Sequence, residues 1–126
     1  MFIYQFDQDF AVELYQNYRM QFSKNWIVFR LFRERHDDNR TDPGDIDSGP
    51  IFRGYSMPAN QFALSNAVLA GDCRTARRLR RLVRWGTKTK RKNQELRYKV
   101  RFVDMRISPM AEAMMLFSMT LVQWVP

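Results

Sequence analysis

The run from residue 74 to residue 101, RTARRLRRLVRWGTKTKRKNQELRYKVR, constrains the fold more than any other part of the sequence. It contains thirteen Lys or Arg residues and a single acidic one, Glu95. Apolar residues recur at regular intervals among these cations. Their spacing predicts the local structure of each part of the run, and with it the surface on which the charges lie.

The first part of the run is predicted to be an amphipathic helix. Its buried side is marked by Ala76, Leu79, Leu82 and Val83. The arginines that face largely away from this side are Arg74, Arg77, Arg78, Arg81 and Arg84, with Arg80 nearer the flank. A merely solvated helix usually intersperses Glu four residues away to relieve such repulsion. Only Asp72 lies nearby here, and this favours an external polyanion as the counter-charge.

The last part of the run is predicted to be a strand. Residues 96–102 alternate, so that Leu, Tyr, Val and Phe lie on one face and the basic residues on the other. The basic face carries Arg97, Lys99 and Arg101. Residues two apart in a strand are separated by about 6.6–6.8 Å, which is short enough to reach successive phosphates of a nucleic acid. Residues 87–93, TKTKRKN, are predicted to be a basic linker that adds Lys88, Lys90, Arg91 and Lys92.

The charge of the whole chain is as uneven as the run suggests. Residues 1–73 carry a net charge of −3, whereas residues 74–126 carry +11. A basic block attracts polyanions, of which nucleic acid is the first expectation and an acidic protein or anionic membrane the second. Nine of the thirteen cations in the run are Arg. Arg favours nucleic acid, because it forks onto phosphate and stacks on bases.

The chain of 126 residues is predicted to be a single α+β domain, predominantly helical, with a few short strands. The predicted parts are a strand at residues 1–6 and an aromatic-striped helix within 1–35, an acidic loop at 36–57, a helix-turn-helix hairpin at 58–86, a basic linker and strand at 87–107, and an apolar helix at 108–126. Asp7 or Asp9 is expected to cap the first helix, which would end near Arg35. Pro58, Gly71 and Asp72 are expected to start, turn and restart the hairpin.

Two predicted helices offer apolar surface to partners. The first carries an aromatic stripe at residues 10, 14, 18, 22, 26 and 29. The last, MAEAMMLFSMTLVQWVP, is apolar nearly all round. Residues 109–126 are expected to pack against neighbouring proteins. Membrane contact is the less favoured alternative, because an apolar stretch that is already short for a span is interrupted by Glu112, Ser118, Thr120 and Gln123.

The sequence offers little for catalysis or metal binding. His36 is the sole histidine and Cys73 the sole cysteine, and no phosphate-loop, dinucleotide-binding or nucleophile-elbow motif occurs. The match of residues 45–56 to a calcium loop fails, since Ser56 stands where Glu is required. Asp37 and Asp38 are expected to be solvated. The chain is therefore predicted to be no enzyme and to use no cofactor or metal.

These features predict a non-catalytic structural subunit of a large ribonucleoprotein. We expect a ribosomal protein that contacts rRNA phosphates through residues 74–101 and neighbouring subunits through its apolar helices. The expected compartment is the mitochondrion or another organelle, and otherwise the cytoplasm, although the acidic N-terminus does not resemble a mitochondrial presequence. No ribosomal protein family's motif is recognisable.

Two other classes of protein remain open. The first alternative is an accessory subunit of a membrane-bound respiratory complex, with the basic run facing lipid or an acidic subunit. The second is a helix-turn-helix DNA-binding protein. That motif would place Arg77 where a buried aliphatic residue is expected, and the recognition helix would have almost no residues that discriminate bases.

Overall fold

The computed structural model describes residues 2–34, 54–92, 95–101 and 109–121. Within these ranges the chain is a small α+β domain of four α-helices and two two-stranded antiparallel sheets, which confirms the predicted class. The elements, in chain order, are a 3-10 helix (Ile3–Gln5), α1 (Gln8–Phe22), β1 (Ser23–Trp26), β2 (Phe29–Phe32), α2 (Met57–Leu69), α3 (Cys73–Gly86), β3 (Thr87–Lys92), β4 (Glu95–Val100) and α4 (Pro109–Thr120).

The strand predicted at residues 1–6 is wrong, because Ile3–Gln5 form a 3-10 turn that leads into α1. The N–H groups of Phe6 and Asp7 both donate to the carbonyl of Ile3, at 2.9 and 2.8 Å. These backbone groups are thus satisfied locally, without a neighbouring strand. Asp7 caps α1 as expected, since its Oδ1 accepts from the N–H of Phe10 at 2.9 Å.

The prediction that the first helix continues to Arg35 is also wrong. Helix α1 ends at Phe22, and the chain then forms the β1–β2 hairpin, in which Ser23 pairs with Phe32 and Trp26 with Phe29. Two of the four residues of β2, Phe29 and Phe32, are aromatic, which favours extended backbone. The reversal of the chain also brings Phe32, which is fully buried, into the core.

The helix-turn-helix pair at α2 and α3 is confirmed, with Pro58, Gly71 and Asp72 at the predicted positions, and Ser56 adds an N-cap to α2 that was not predicted. The Ser56 hydroxyl accepts from the N–H of Ala59 at 3.2 Å, and Pro58 lies in the first turn of α2. Gly71 ends the helix in the left-handed region, with φ +68°. Asp72 then caps α3 through a hydrogen bond of 3.0 Å from the N–H of Thr75. The fold of this pair was therefore specified by residues within one turn of each helix end.

The core lies where β2 packs between α2 and α3. Its buried members are Phe32, Ala63, Leu64 and Leu79, and they are surrounded by Tyr18, Phe22, Val68, Ala76, Leu82 and Met119. The ring of Tyr18 stacks on that of Phe32 with centroids 5.1 Å apart. Burial, and then the nearby Glu34 carboxylate, raises the pKa of Tyr18 to about 12. Helix α1 therefore joins the core through Tyr18 and Phe22, the aromatic residues of its C-terminal half.

The linker predicted at residues 87–93 is wrong up to Lys92, because Thr87–Lys92 form strand β3, which pairs with β4. The strand predicted at residues 96–102 corresponds to β4, at Glu95–Val100. Helix α4 covers Pro109–Thr120 of the predicted last helix. Its Glu112 carboxylate accepts from the N–H of Tyr98 at 3.0 Å, so α4 begins against β4.

Several predictions fall on other parts of the chain. Residues 35–53 contain His36, Asp37, Asp38 and most of the calcium-like pattern, and they lie outside the described residues. The same holds for residues 102–108 and for the last five residues of the predicted apolar helix.

Candidate nucleic-acid interface

The carboxylate nearest in sequence to the arginines of α3 is already engaged elsewhere. Asp72 Oδ2 accepts from the hydroxyl of Tyr15 at 2.9 Å and from the guanidinium of Arg19 at 2.7 Å, while Oδ1 caps α3. Partial burial would by itself raise the pKa of Asp72, but the hydrogen bonds from Thr75, Arg19 and Tyr15 outweigh it and hold that pKa well below its usual range. Asp72 therefore stays ionised, and its charge is balanced by Arg19.

The outward side of α3 is a stripe of arginines. Thr75, Leu79 and Val83 are buried on the inward side. The exposed residues that form the stripe are Arg74, Arg77, Arg81 and Arg84. Spacings of three and four residues place them side by side on one face. Like charges so placed destabilise a helix by roughly 0.2–0.5 kcal/mol per pair, and within the described residues no carboxylate pairs with any of the four.

Two further predicted arginines of α3 are placed differently. Arg78 is half-buried, and its Nη1 donates to Asn25 Oδ1 at 3.1 Å. That same oxygen accepts from Arg30 Nε at 2.9 Å, so Asn25 ties the β1–β2 hairpin to α3. Arg80 lies on the flank, half-buried, and its Nε has no hydrogen-bond partner in the described part of the chain. These two arginines border the stripe and are less exposed than the four arginines that form it.

The β3–β4 hairpin carries a second group of cations on one face. Lys88 stands directly opposite Lys99, and Lys90 directly opposite Arg97. Directly opposed residues of an antiparallel pair point to the same side, with Cβ atoms about 4.5–5.5 Å apart. Like charges in such pairs destabilise the sheet unless an anion lies between them. We call these four residues the cation grid, since they are spaced regularly along and across the strands.

The remaining predicted residues lie around the grid. Arg91 is exposed and points to the opposite face of β3, together with Thr89. Arg101 is exposed just after β4, and its N–H donates to the carbonyl of Gly86 at 2.8 Å. Lys92 pairs with Glu95 in the register of the hairpin. The cations of residues 74–101 are thus divided over at least two faces.

The arginine stripe and the cation grid are joined without a linker. Strand β3 starts at the residue after α3, and the buried Thr87 hydroxyl donates to the carbonyl of Val83 at 2.7 Å. The hydrogen bond from Arg101 to Gly86 holds the end of β4 at the same point. Both strands are therefore anchored to the C-terminal end of α3, which fixes the base of the grid relative to the stripe.

Sequence reasoning missed two residues that shape this surface. The sequence predicts a helix at Asn25, whereas this residue links the β1–β2 hairpin to Arg78. The sequence predicts a linker at Thr87, whereas this residue is buried and anchors β3. The alternation of Thr87 and Thr89 with Lys88 and Lys90 has the period of a strand and was the available signal. No comparable signal marked Asn25.

Within the described residues, no three His, Cys, Asp or Glu side chains come together in a way that could hold a metal ion. None of the described helices combines the length and the apolar character needed to span a bilayer.

Comparison with known proteins gave no match. Neither the models of protein families, nor the curated proteins, nor the solved structures contain a significant relative of this chain.

Proposed function

We propose that this protein is a non-catalytic structural subunit of a large ribonucleoprotein, and specifically a ribosomal protein that binds rRNA phosphates. The observation that carries the proposal is the cation grid together with the arginine stripe. In the grid, Lys88 and Lys90 face Lys99 and Arg97 across the hairpin. An external polyanion lowers the repulsion between like charges that are placed side by side in this way.

The anion that fits best is a polymer of regularly spaced phosphates. The grid repeats its cations about every 6.6–6.8 Å along a strand, and the stripe repeats them once per helical turn. A single carboxylate or phosphate would neutralise only one or two of these charges. The high proportion of Arg further supports RNA, because guanidinium groups bind phosphate through two parallel hydrogen bonds.

The apolar surfaces support a setting among other subunits. Phe10 and Leu14 of α1 are exposed, as are Leu116 and Phe117 of α4. In the proposed role, the N-terminal half of α1 and the apolar C-terminal helix dock onto neighbouring proteins, and the methionines of that helix adapt to the contact. An organelle such as the mitochondrion is the proposed compartment.

The test is the salt dependence of RNA binding. We expect Arg77→Gln with Arg81→Gln, and separately Lys88→Gln with Lys90→Gln, to weaken binding to an rRNA fragment. Each pair should also flatten the slope of log K against log salt by about 1.4–1.8, since each lost phosphate contact removes about 0.7–0.9. The matched control is Gln16→Glu with Gln21→Glu, which lowers the net charge equally at exposed positions of α1. Equal slopes in all four proteins would contradict the proposal.

The alternatives give different outcomes in related experiments. Selective binding to one duplex DNA sequence, by a dimer of the protein, would support a helix-turn-helix DNA-binding protein instead. Retention of the native protein in the membrane pellet after carbonate extraction would support a respiratory accessory subunit. Release together with rRNA supports the ribosomal role.

A further inference from the structure

An exposed tryptophan lies within the cationic side of α3. Trp85 follows Arg81 by four residues and Arg78 by seven, and these spacings place all three on the same face of the helix. Half of the surface of Trp85, 50%, is exposed. A large aromatic ring left in water among cations forgoes the stabilisation that burial would give it. Its place on this surface therefore suggests a ligand that covers it.

The β1–β2 hairpin extends this ring into a row of aromatic side chains. The ring of Phe29 contacts that of Trp85, with centroids 5.7 Å apart and planes tilted by 38°. Trp26, which is 62% exposed, stands directly opposite Phe29 in the hairpin, so both side chains point to the same side. We call Trp26, Phe29 and Trp85 the aromatic row.

The hydrogen bonds of Asn25 hold this row in place. Its Oδ1 accepts from Arg30 on β2 and from Arg78 on α3, at 2.9 and 3.1 Å. Arg30 also donates to the Thr75 hydroxyl at 2.6 Å, which adds a second link between the hairpin and α3. The row is therefore built on two elements that are fixed to each other, and it does not depend on one side chain alone.

A ligand for this site must combine flat aromatic faces with negative charge beside them. An unpaired nucleotide has both, because its base can stack on an indole while its phosphate meets an arginine. The bases of a duplex are stacked inside the helix and offer no faces to the protein. An anionic membrane would instead favour a side chain that protrudes freely beyond the cations, whereas the Trp85 ring rests on Phe29.

We propose that the aromatic row binds unpaired bases of single-stranded RNA, next to phosphates held by the arginine stripe. This inference rests on the proposed function and deepens it, since it names the kind of RNA segment that the surface accepts. A loop or junction of a folded RNA presents such bases, while the cation grid can contact the backbone of a paired segment or an unpaired one.

The first experiment compares single-stranded RNA of about 20 nucleotides with the corresponding duplex RNA. Trp85→Leu keeps an apolar side chain against Phe29 but cannot stack on a base. We expect it to bind single-stranded RNA about tenfold more weakly, with duplex affinity and salt slope unchanged. Trp85→Phe should retain most of the affinity. The matched control is Phe6→Leu, which removes a more exposed ring, 88% accessible, from outside this surface.

The second experiment uses tryptophan fluorescence. Stacking on bases should quench the emission of the wild-type protein. Trp26→Phe with Trp85→Phe, which leaves Trp124 as the one tryptophan of the chain, should lose most of that quenching while it still binds. The same titration with phosphatidylserine vesicles tests the membrane. A blue shift on vesicles without any quenching by RNA would overturn the inference in favour of a lipid surface.

The inference and the function on which it rests fail in different ways. If Trp85→Leu weakens single-stranded and duplex binding equally, or weakens neither, the aromatic row does not bind bases, although the cations still bind RNA. If the wild-type protein binds neither RNA with a marked salt dependence, the proposed function itself is wrong.

Discussion

Two consecutive buried amide side chains, Asn60 and Gln61, differ sharply in their hydrogen bonding. Asn60 Oδ1 accepts from the N–H of Phe32 at 2.9 Å, and its Nδ2 donates to the carbonyls of Phe32 and Ser56 at 3.2 and 2.7 Å. Neither amide atom of Gln61 has a hydrogen-bond partner within the part of the chain that the structure describes. The first residue therefore links β2 to α2, whereas the second carries the cost of burial without compensation.

We predict that the same kind of substitution has opposite effects at these two positions. Gln61→Met replaces unsatisfied polar atoms by apolar ones of similar size and should raise the free energy of unfolding by about 1 kcal/mol. Asn60→Leu leaves backbone groups of Phe32 unsatisfied and should lower it by about 2–4 kcal/mol. Urea unfolding of both variants checks this, each serving as control for the other. A loss of stability in Gln61→Met would show that its amide has a structural role.

The charge of Asp72 predicts a pH dependence of stability. Its folded-state pKa is depressed, so its contribution is complete above the unfolded value of 3.8 and is lost as the pH falls below that value. Asp72→Asn keeps an oxygen to cap α3 but loses the ionic contact with Arg19. We expect Asp72→Asn to lower the free energy of unfolding by about 1–2 kcal/mol at pH 7, and this difference from wild type should shrink steadily below pH 3.8.

Unfolding of wild type and Asp72→Asn between pH 7 and pH 2.5 measures this difference. Asp9→Asn, at an exposed carboxylate in the first turn of α1, controls for the general effect of removing an acidic residue. If the free energies of unfolding of wild type and Asp72→Asn differ by the same amount at pH 7 and at pH 2.5, the charge of Asp72 does not contribute to stability and only its hydrogen-bond geometry does.

At the scale of elements, the turn of the β1–β2 hairpin is built from unusual residues. Ile27 adopts φ +50°, and it is the one non-glycine residue with positive φ among those described. A β-branched residue in this region costs roughly 1–2 kcal/mol, and turns of this kind normally use Gly, Asn or Asp. The residue is also 87% exposed, so no packing offsets the strain.

We predict that Ile27→Asn raises the free energy of unfolding by about 1 kcal/mol, because Asn tolerates the left-handed region. Val28→Asn is the matched control, since Val28 is exposed in the same turn without positive φ, and it should bring no comparable gain. Thermal and urea unfolding check both. An equal gain in the two variants would point to the loss of exposed apolar surface as the cause.

The elements also show which parts of the fold could be read from the sequence. Helices α2 and α3 could be predicted because Pro58, Gly71 and Asp72 act within a few residues of the ends they specify. Strands β1, β2 and β3 could not be predicted in this way, because a strand depends on its partner. The spacing of Phe22, Trp26 and Phe29 across the end of α1 and the first hairpin fits a helical period, so the sequence favours a longer helix.

The candidate interface was predictable to a similar extent. The arginine stripe follows directly from the helical period of residues 74–84. The cation grid does not, since it depends on the register that places Lys88 opposite Lys99. Likewise, the meeting of Phe29 with Trp85 depends on how the first hairpin packs against α3. Contacts between distant segments are set by tertiary packing, and local sequence patterns do not predict them.

At the scale of the whole molecule, the basic charge is presented by a folded surface. The stripe depends on burial of the opposite side of α3, and the grid depends on the pairing of β3 with β4. The unfolded chain carries the same number of charges but presents them at no fixed spacing. RNA that recognises the arrangement should therefore bind the folded state more tightly than the unfolded one.

We predict that a saturating RNA fragment raises the midpoint of thermal unfolding. A ligand at about 100 times its Kd adds about 2.7 kcal/mol when it binds the folded state alone, which corresponds to a shift of roughly 10 °C for a domain of this size. The shift should decline with added salt in parallel with RNA affinity. Heparin, a polyanion with a different charge spacing, serves as the control ligand at equal fractional saturation. If RNA binds tightly yet leaves the midpoint unchanged, RNA binds the folded and the unfolded chain equally well. The spacing of the cations in the grid and the stripe would then not contribute to binding.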